Sequence, residues 1–385
     1  MEVADLLRAQ GDRFLEQSPW LNVQQLSVLR AIARCRTAAL GGHIDACSAC
    51  GHQAISYNSC RNRHCMKCQA QARQRWLAAR QQELLPVCYF HVVFTLPHEL
   101  NPLCQRNARL LYNLLFRSSA AAMQEVAANP KRLAARIGFV SILHTWSQNL
   151  LLHPHVHCLV PAGGFSADQS HWVHPKYAFF LPVEVLGIVY RRKFLRALRK
   201  LYRAGKLCLA GPTAELKNRR RFARFVDSLF QKEWIVYAKP AFGGPTQALR
   251  YLGRYTHRVA ISNHRLLAFD GEQVTFLWRD YAHGNQQRTM TLSACEFLRR
   301  FTQHILPRGF VRIRHFGFLT NTRRATLLNL ARHLIGAESS CSEVARNEVS
   351  NRSTWRCPRC QGEMRIGPNL SARLLSAQCK FLDSS

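Results

Sequence analysis

The segment LLHPHVHCLVPAGG, residues 151–164, places His153, His155 and His157 at alternate positions. Alternate side chains of a β-strand project from one face, so the imidazoles of His155 and His157 would lie about 7 Å apart along the strand. Pro154 keeps His153 extended and marks a strand start or a sheet edge. The opposite face carries the apolar residues Val156, Cys158 and Val160. Two adjacent imidazoles could share one metal ion or could simply pack, and the pattern alone leaves both interpretations open.

A second segment, LRYLGRYTHR at residues 249–258, would place Tyr251 and Tyr255 one turn apart on a helix. The neighbouring stripe of the same helix would consist of Arg250, Arg254 and Arg258. Tyrosines in this arrangement are more commonly packing residues. Beside a metal ion that polarises a phosphodiester, however, a phenol could attack phosphorus while arginines stabilise the developing charge. The two segments together indicate phosphoryl transfer on DNA, through a tyrosyl phosphate ester that a DNA 3′-OH can reverse.

The cysteines form the third group of candidate ligands. Two C-x-x-C pairs are separated by fourteen residues, which is close to zinc-ribbon spacing. Tetrahedral zinc takes four ligands. The four thiolates expected to hold one structural zinc ion are those of Cys47, Cys50, Cys65 and Cys68. Cys60 and His64 are surplus: Cys60 could replace one of the four, or a second ion could bind.

Cys357-Pro-Arg-Cys360, near the end of the chain, is half of a similar site. Its partners are not evident from spacing, and Cys341 and Cys379 are the candidates. A degenerate zinc site and a working one are equally compatible with this pattern.

Composition points to a nucleic-acid partner. Lysine and arginine total 54 against 22 acidic residues, a formal net charge of +32, and arginine suits phosphates and base edges. No segment reaches the roughly 18 apolar residues of a membrane span, and the acidic, amphipathic start does not resemble a signal peptide. Because many of the fifteen cysteines are clustered, zinc in a reducing compartment is favoured over disulfides. We therefore expect a cytoplasmic, nucleoid-associated bacterial protein with DNA, not a membrane, as partner.

These residues must be positioned by a mixed fold. Strands are predicted at 88–97, 137–146 and 151–164, with helices between and after them, and a basic helical segment at 184–234. This order predicts an α+β fold with a mainly antiparallel sheet. The expected domains are 1–86, helical and zinc-binding for DNA recognition; 87–336, the catalytic domain; and 337–385, a linker with a cysteine-containing tail.

The stretch HPHVHCLVPAGG resembles the HUH signature (His, hydrophobic, His) of rolling-circle nucleases. CRNRHCMKCQ, YLGRYTHRVAISN and VRIRHFGFL together resemble the two-tyrosine insertion-sequence transposases of the IS91 kind, in the same order over residues 25–335. The resemblance implies an RRM-like HUH sheet, Mg or Mn, and cleavage of single-stranded element ends through a 5′-phosphotyrosine in rolling-circle transposition. By this resemblance His155 and His157 are metal ligands, and Tyr251 and Tyr255 are the nucleophiles.

A third metal ligand is not specified by a motif. Gln148, seven residues before His155 across an expected hairpin, is favoured, with His144 and His153 as rivals.

Two other functions share many of these features. One is a rolling-circle replication initiator or relaxase with the same chemistry; the other is a zinc-dependent nucleic-acid-binding protein whose histidines and tyrosines only pack.

Overall fold

The computed structural model describes residues 1–176, 180–240, 253, 260–281, 283–320, 322–336 and 355–375. Its helices are α1 (Val3–Glu16), α2 (Val23–Ala33), α3 (Met66–Gln81), α4 (Asn101–Arg106), α5 (Ala108–Ala128), α6 (Val183–Arg203), α7 (Arg219–Gln231), α8 (Ala294–Thr302) and α9 (Arg324–Leu334). Its strands are β1 (Gly42–Cys47), β2 (Gln53–Tyr57), β3 (Tyr89–Thr95), β4 (Gly138–Trp146), β5 (Leu152–Pro161), β6 (Gly164–Phe165), β7 (Trp172–Val173), β8 (Val236–Pro240), β9 (Leu266–Phe269), β10 (Gln273–Asp280), β11 (Gln286–Ser293), β12 (Ile313–Gly317) and β13 (Met364–Leu370).

The largest sheet has five strands in the order β12-β4-β5-β3-β8. Every neighbouring pair in it is antiparallel. The predicted α+β fold with antiparallel sheets is therefore confirmed. β5, the strand with the alternating histidines, is the middle strand, so its backbone is hydrogen-bonded on both sides.

Alternation along the strands separates two different faces of this sheet. On one face, a buried apolar layer from β3 and β5 consists of Phe90, Val92, Phe94, Val156, Cys158 and Val160. Helices α5 and α6 cover that layer with residues such as Leu115 and Phe194. The opposite face carries the histidines and a second apolar cluster that includes Ile142 and Leu159. Since successive side chains of a strand point to opposite sides, one register produces both faces.

Helix α6 shows why the basic segment is still part of the core. Tyr190, Phe194 and Leu198 repeat every four residues and are completely buried. Arg192 and Arg196 repeat with the same spacing on the exposed side. The helix is thus amphipathic, with an apolar stripe against the sheet and a cationic stripe toward solvent.

A second core joins the N-terminal helices to residues 260–301. Residues of α1 and α2, including Leu6, Phe14 and Ile32, pack in one apolar cluster with Phe276 of β10 and Phe297 of α8. The strands β9, β10 and β11 form the three-stranded sheet of this core. The first helices of the chain are consequently packed against residues more than two hundred positions away.

A third small sheet has the order β13-β1-β2, so a strand from the C-terminal tail extends the N-terminal β1–β2 hairpin. β13 is antiparallel to β1, from Gly42 opposite Leu370 to Cys47 opposite Met364. None of the helices within the described residues is long and apolar enough to cross a membrane.

The end of β12 depends on a glycine. Gly317 has a φ of +61°, and a Cβ there would lie 1.8 Å from the carbonyl oxygen of Ile137, whereas Gly309 (φ +69°) has nothing within 4 Å of a Cβ.

We expect Gly309→Ala to lower the free energy of unfolding by about 1 kcal/mol, the cost of the left-handed backbone. Gly317→Ala should cost about 3 kcal/mol, because backbone must also shift. Equal losses in denaturant unfolding of the two variants would contradict this account.

Candidate functional site

Two adjacent strands bring three histidines together on the second face of the main sheet. His155 and His157 come from β5, and His144 of β4 lies directly opposite His155 in the strand register. Each of the three offers one ring nitrogen, and these nitrogens all lie within 4.8 Å of one another. The predicted pair is thus part of a three-imidazole group, which we call the histidine cluster.

The rings of the histidine cluster converge, with those of His155 and His157 facing each other through Nε2. The Nε2 atoms of His155 and His157 are 3.0 Å apart. His155 Nδ1 lies 2.6 Å from the carbonyl oxygen of His153, so Nδ1 donates its proton there and Nε2 keeps a lone pair. The ring of His144 is centred 4.5 Å from that of His157. Imidazole nitrogens this close together are suited to a shared cation when each presents a lone pair.

His91 of β3, which the sequence analysis missed, contacts the cluster from the other neighbouring strand. Its Nε2 is 2.8 Å from Nδ1 of His157, and the two rings stack with centroids 5.0 Å apart. When His157 Nδ1 donates to His91, the Nε2 of His157 is left as an acceptor facing His155. The available signal in the sequence was a lone histidine inside the apolar strand YFHVVF.

Burial keeps the imidazoles of His91, His155 and His157 neutral at pH 7. Desolvation lowers the pKa of His155 to about 3 and that of His91 to about 4. It also lowers the pKa of His157 well below its usual value, and neighbouring histidines add to that effect. A neutral imidazole is the form that binds a metal ion, so the environment and the geometry agree.

The favoured third ligand, Gln148, lies outside the histidine cluster. It follows β4 in the turn, where its side-chain amide nitrogen donates to Tyr281 Oη at 3.3 Å. The backbone carbonyl oxygen of Gln148 accepts from the Arg265 guanidinium at 2.5 Å. In the structure, the residue beside His155 and His157 is His144, the cross-strand neighbour of His155, because strand register sets distance more directly than sequence separation does.

The predicted nucleophiles Tyr251 and Tyr255, and the arginines Arg250, Arg254 and Arg258, lie outside the described residues. Gly253, between the two tyrosines, is described and buried. A Cβ on Gly253 would lie 2.5 Å from Cδ2 of Leu77 in α3. Trp76, next to Leu77, packs into the apolar cluster on the histidine side of the sheet. Gly253 is therefore next to a helix that covers the same face as the histidines.

The cysteines form two clusters, and neither is the expected one. The first consists of Cys35, Cys60, Cys65 and Cys68. The second consists of Cys47, Cys50, Cys357 and Cys360. The prediction that Cys47, Cys50, Cys65 and Cys68 share one ion is therefore wrong, because the β1–β2 hairpin carries the first C-x-x-C pair away from the second.

In the first cluster, the sulfur of Cys35 is 3.6 Å from those of Cys65 and Cys68, and Cys60 Sγ is 3.7 Å from Cys68 Sγ. Cys35 follows α2 and carries no C-x-x-C spacing, so sequence reasoning had no reason to select it. A hydrogen bond with Cys60 lowers the pKa of Cys65 to about 5, which favours a thiolate. His64, the alternative ligand, instead accepts a hydrogen bond from the Leu306 backbone at 3.1 Å.

Comparison with known proteins then identifies the family. Residues 6–96 match a family described as a transposase zinc-binding domain, and residues 138–326 match a family described as a putative transposase. The chain is 48% identical over 373 residues to the putative transposase y4qJ of Sinorhizobium fredii, covering 94% of both chains. It is 31% identical over 314 residues to the transposase for insertion sequence element IS801 of Pseudomonas savastanoi pv. phaseolicola, covering 80% of this chain and 73% of the relative.

The chain belongs to the IS91-type transposases. A transposase acts on DNA, and the net charge of +32 is complementary to that polyanionic substrate. The zinc-binding match contains the whole first cysteine cluster, but only half of the second. No solved structure matches this transposase.

His304 secures the β4–β5 turn next to the cluster. Its Nε2 donates to the Leu150 carbonyl oxygen at 3.0 Å, and its Nδ1 lies 3.2 Å from Thr145 Oγ1. Burial lowers the pKa of His304 to about 4. A histidine in the unfolded chain has a pKa of about 6.5. The contribution of neutral His304 to the free energy of unfolding is therefore complete above that pH, and it declines as the pH falls toward 4.

We expect the free energy of unfolding of the wild type to fall between pH 7 and pH 5 more steeply than that of His304→Gln. The difference should approach about 1.4 kcal/mol per pH unit for one proton. Urea unfolding at several pH values measures both slopes. Parallel slopes would show that His304 does not titrate on unfolding.

Proposed function

We propose that this transposase nicks single-stranded DNA at the ends of an insertion sequence through a 5′-phosphotyrosine and rejoins the strands in rolling-circle transposition. The observation that supports this most directly is the histidine cluster on the middle strand of an antiparallel sheet. On this proposal the five-stranded sheet would serve as the RRM-like HUH core expected from the sequence. On this proposal residues 87–336 are the nuclease domain, residues 1–86 recognise DNA, and residues 337–385 form the linker and tail.

The donor set of the histidine cluster fits a divalent cation. Three imidazoles offer nitrogens within 4.8 Å of one another. His144, His155 and His157 would hold Mg²⁺ or Mn²⁺, which supplies Lewis-acid polarisation of the scissile phosphate. His91 would act as a positioning residue by fixing the orientation of His157 through their 2.8 Å hydrogen bond.

The tyrosines would carry out the covalent step. The Oη of Tyr251 or Tyr255 attacks the phosphorus, the bond from phosphorus to the 3′ oxygen breaks, and the departing 3′ oxygen takes up a proton. The product is a 5′-phosphotyrosine and a free 3′-OH. Attack by a DNA 3′-OH reverses the step and joins strands without a nucleoside triphosphate. Arg250, Arg254 and Arg258 would stabilise the negative charge on the phosphate oxygens. The position of Gly253 against α3 supports this assignment of the tyrosine segment to the histidine side.

The first cysteine cluster would hold structural zinc. Its ligands on this proposal are Cys35, Cys60, Cys65 and Cys68. Of the cations around it, Lys67 is paired with Glu2 at 2.7 Å and Arg63 donates to the Phe310 carbonyl oxygen at 2.6 Å. Arg61 and Arg73 are exposed and are the residues available for DNA phosphates.

Covalent trapping tests the nuclease. We expect wild-type protein, incubated with single-stranded oligonucleotides of the element ends and Mn²⁺, to form an adduct that survives SDS. Tyr251→Phe/Tyr255→Phe removes both phenols and should form none. His155→Ala/His157→Ala should also form none while binding the same oligonucleotide within about twofold, because most affinity comes from phosphate contacts.

An adduct with the double tyrosine variant would refute the nucleophile assignment. Absence of any adduct from the wild type, with a related transposase active in parallel, would favour a non-catalytic DNA-binding protein.

The third ligand can be tested separately. His144→Ala should raise the Mn²⁺ concentration needed for half-maximal adduct formation by about tenfold or more, because it removes a nitrogen from the histidine cluster. Gln148→Ala is the matched control and should stay within about twofold of wild type. The reverse result in a Mn²⁺ titration would restore Gln148 as the ligand.

A further inference from the structure

The second cysteine cluster is built from two loops with the same backbone geometry. In the first loop, the Gly51 N–H donates to the Cys47 carbonyl oxygen at 3.1 Å, and the Cys47 N–H donates to the His52 oxygen at 2.8 Å. The Ala49 N–H lies 3.4 Å from Cys47 Sγ and donates to it. Gly51, after the second cysteine, has a φ of +68°.

The loop in the C-terminal tail repeats each of these features. The Gln361 N–H donates to the Cys357 carbonyl oxygen at 2.9 Å, and the Cys357 N–H donates to the Gly362 oxygen at 2.9 Å. The Arg359 N–H donates to Cys357 Sγ at 3.4 Å. Gln361 adopts a φ of +61°, although it is not glycine. Two loops that aim backbone N–H groups at a sulfur in this way stabilise thiolates.

The sulfurs of the two loops meet at tetrahedral spacing. Cys47 Sγ is 3.4 Å from Cys360 Sγ, and Cys50 Sγ is 3.6 Å from Cys357 Sγ. A tetrahedral zinc ion with Zn–S bonds of about 2.3 Å would separate its ligands by about 3.8 Å. All four sulfurs lie within 4.8 Å of one another.

The surroundings of the sulfurs are also closely fitted. A Cβ on Gly362 would lie 3.2 Å from the sulfurs of both Cys360 and Cys47. The Ser48 N–H donates to the Glu363 carbonyl oxygen at 3.0 Å, which joins the two loops directly. Adjacent β1 and β13 continue this pairing from Cys47 opposite Met364 onward.

We propose that Cys47, Cys50, Cys357 and Cys360 bind a second structural zinc ion, which fastens the C-terminal tail to the N-terminal β1–β2 hairpin. Each loop supplies two ligands, so neither half is a site without the other. The C-x-x-C pair near the end of the chain is thus the missing half of the site begun at Cys47. This site is separate from the first cysteine cluster and goes beyond the nuclease activity proposed above.

Zinc content of the purified full-length chain tests the proposal. Cys357→Ser/Cys360→Ser should bind one zinc ion fewer per chain than wild type, and so should Cys47→Ser/Cys50→Ser. The variant that combines all four substitutions should again have one ion fewer, not two, because both pairs serve the same ion. Cys88→Ser/Cys208→Ser, a control at two exposed cysteines outside both clusters, should keep the wild-type content.

Unchanged zinc in the tail variant, or the loss of two ions in the combined variant, would overturn the proposal. The difference from wild type is the quantity measured, so the result does not depend on whether the first cluster also holds zinc. DNA cleavage is not measured in this test, so the zinc result would stand even if the proposed nuclease activity failed.

Alkylation of the wild type gives a test that requires no substitution. Cys50 and Cys360 are exposed, as are Cys88 and Cys208. With zinc bound, we expect N-ethylmaleimide to modify Cys88 and Cys208 at least about tenfold faster than Cys50 and Cys360, because a coordinated thiolate is a poorer nucleophile. A chelator should remove the difference, as read by peptide mass spectrometry. Equal rates in the zinc-loaded protein would show that the exposed pair is not coordinated.

Discussion

The alternation of side chains along β5 is the constraint on which the five-stranded sheet and its histidine cluster depend. Val156, Cys158 and Val160 are buried against α5 and α6, and this burial fixes the register of the strand. The same register leaves His155 and His157 on the other face. A slip of one residue would place imidazoles in the apolar core and expose valines, so core packing and the position of the histidine cluster are specified together.

The neighbouring strands then convert a pair of histidines into an organised group. β4 contributes His144 opposite His155, and β3 contributes His91 against the ring of His157. The hydrogen bond from His155 Nδ1 to the His153 carbonyl oxygen turns Nε2 of that ring toward His157, while desolvation keeps the His155 ring neutral. Each strand therefore has a different role: β5 supplies the central pair, β4 the third nitrogen, and β3 the orientation.

Each of the two cysteine clusters joins segments that are far apart in sequence. The first joins the end of α2 to the start of α3, and the second joins β1 to the tail. The second core has the same character, since α1 and α2 pack against β10 and α8. Ordering contacts between distant segments costs loop-closure entropy. Thiolates bound to one ion, and an extended apolar interface, are interactions strong enough to offset that cost.

The sequence by itself determined the local properties of this transposase. Strand periodicity identified β3, β4 and β5. Motif spacing identified the His155–His157 pair and the C-x-x-C pairs. Only the tertiary structure decided which distant residues meet. It placed His144 and His91 beside the His155–His157 pair. It also brought Cys35 into the first cysteine cluster and separated Cys47 and Cys50 from Cys65 and Cys68. The physical reason is that periodicity reports which face of an element a residue occupies. Which residues meet that face depends on strand order, strand register and the connections between strands. These are not determined by the local sequence.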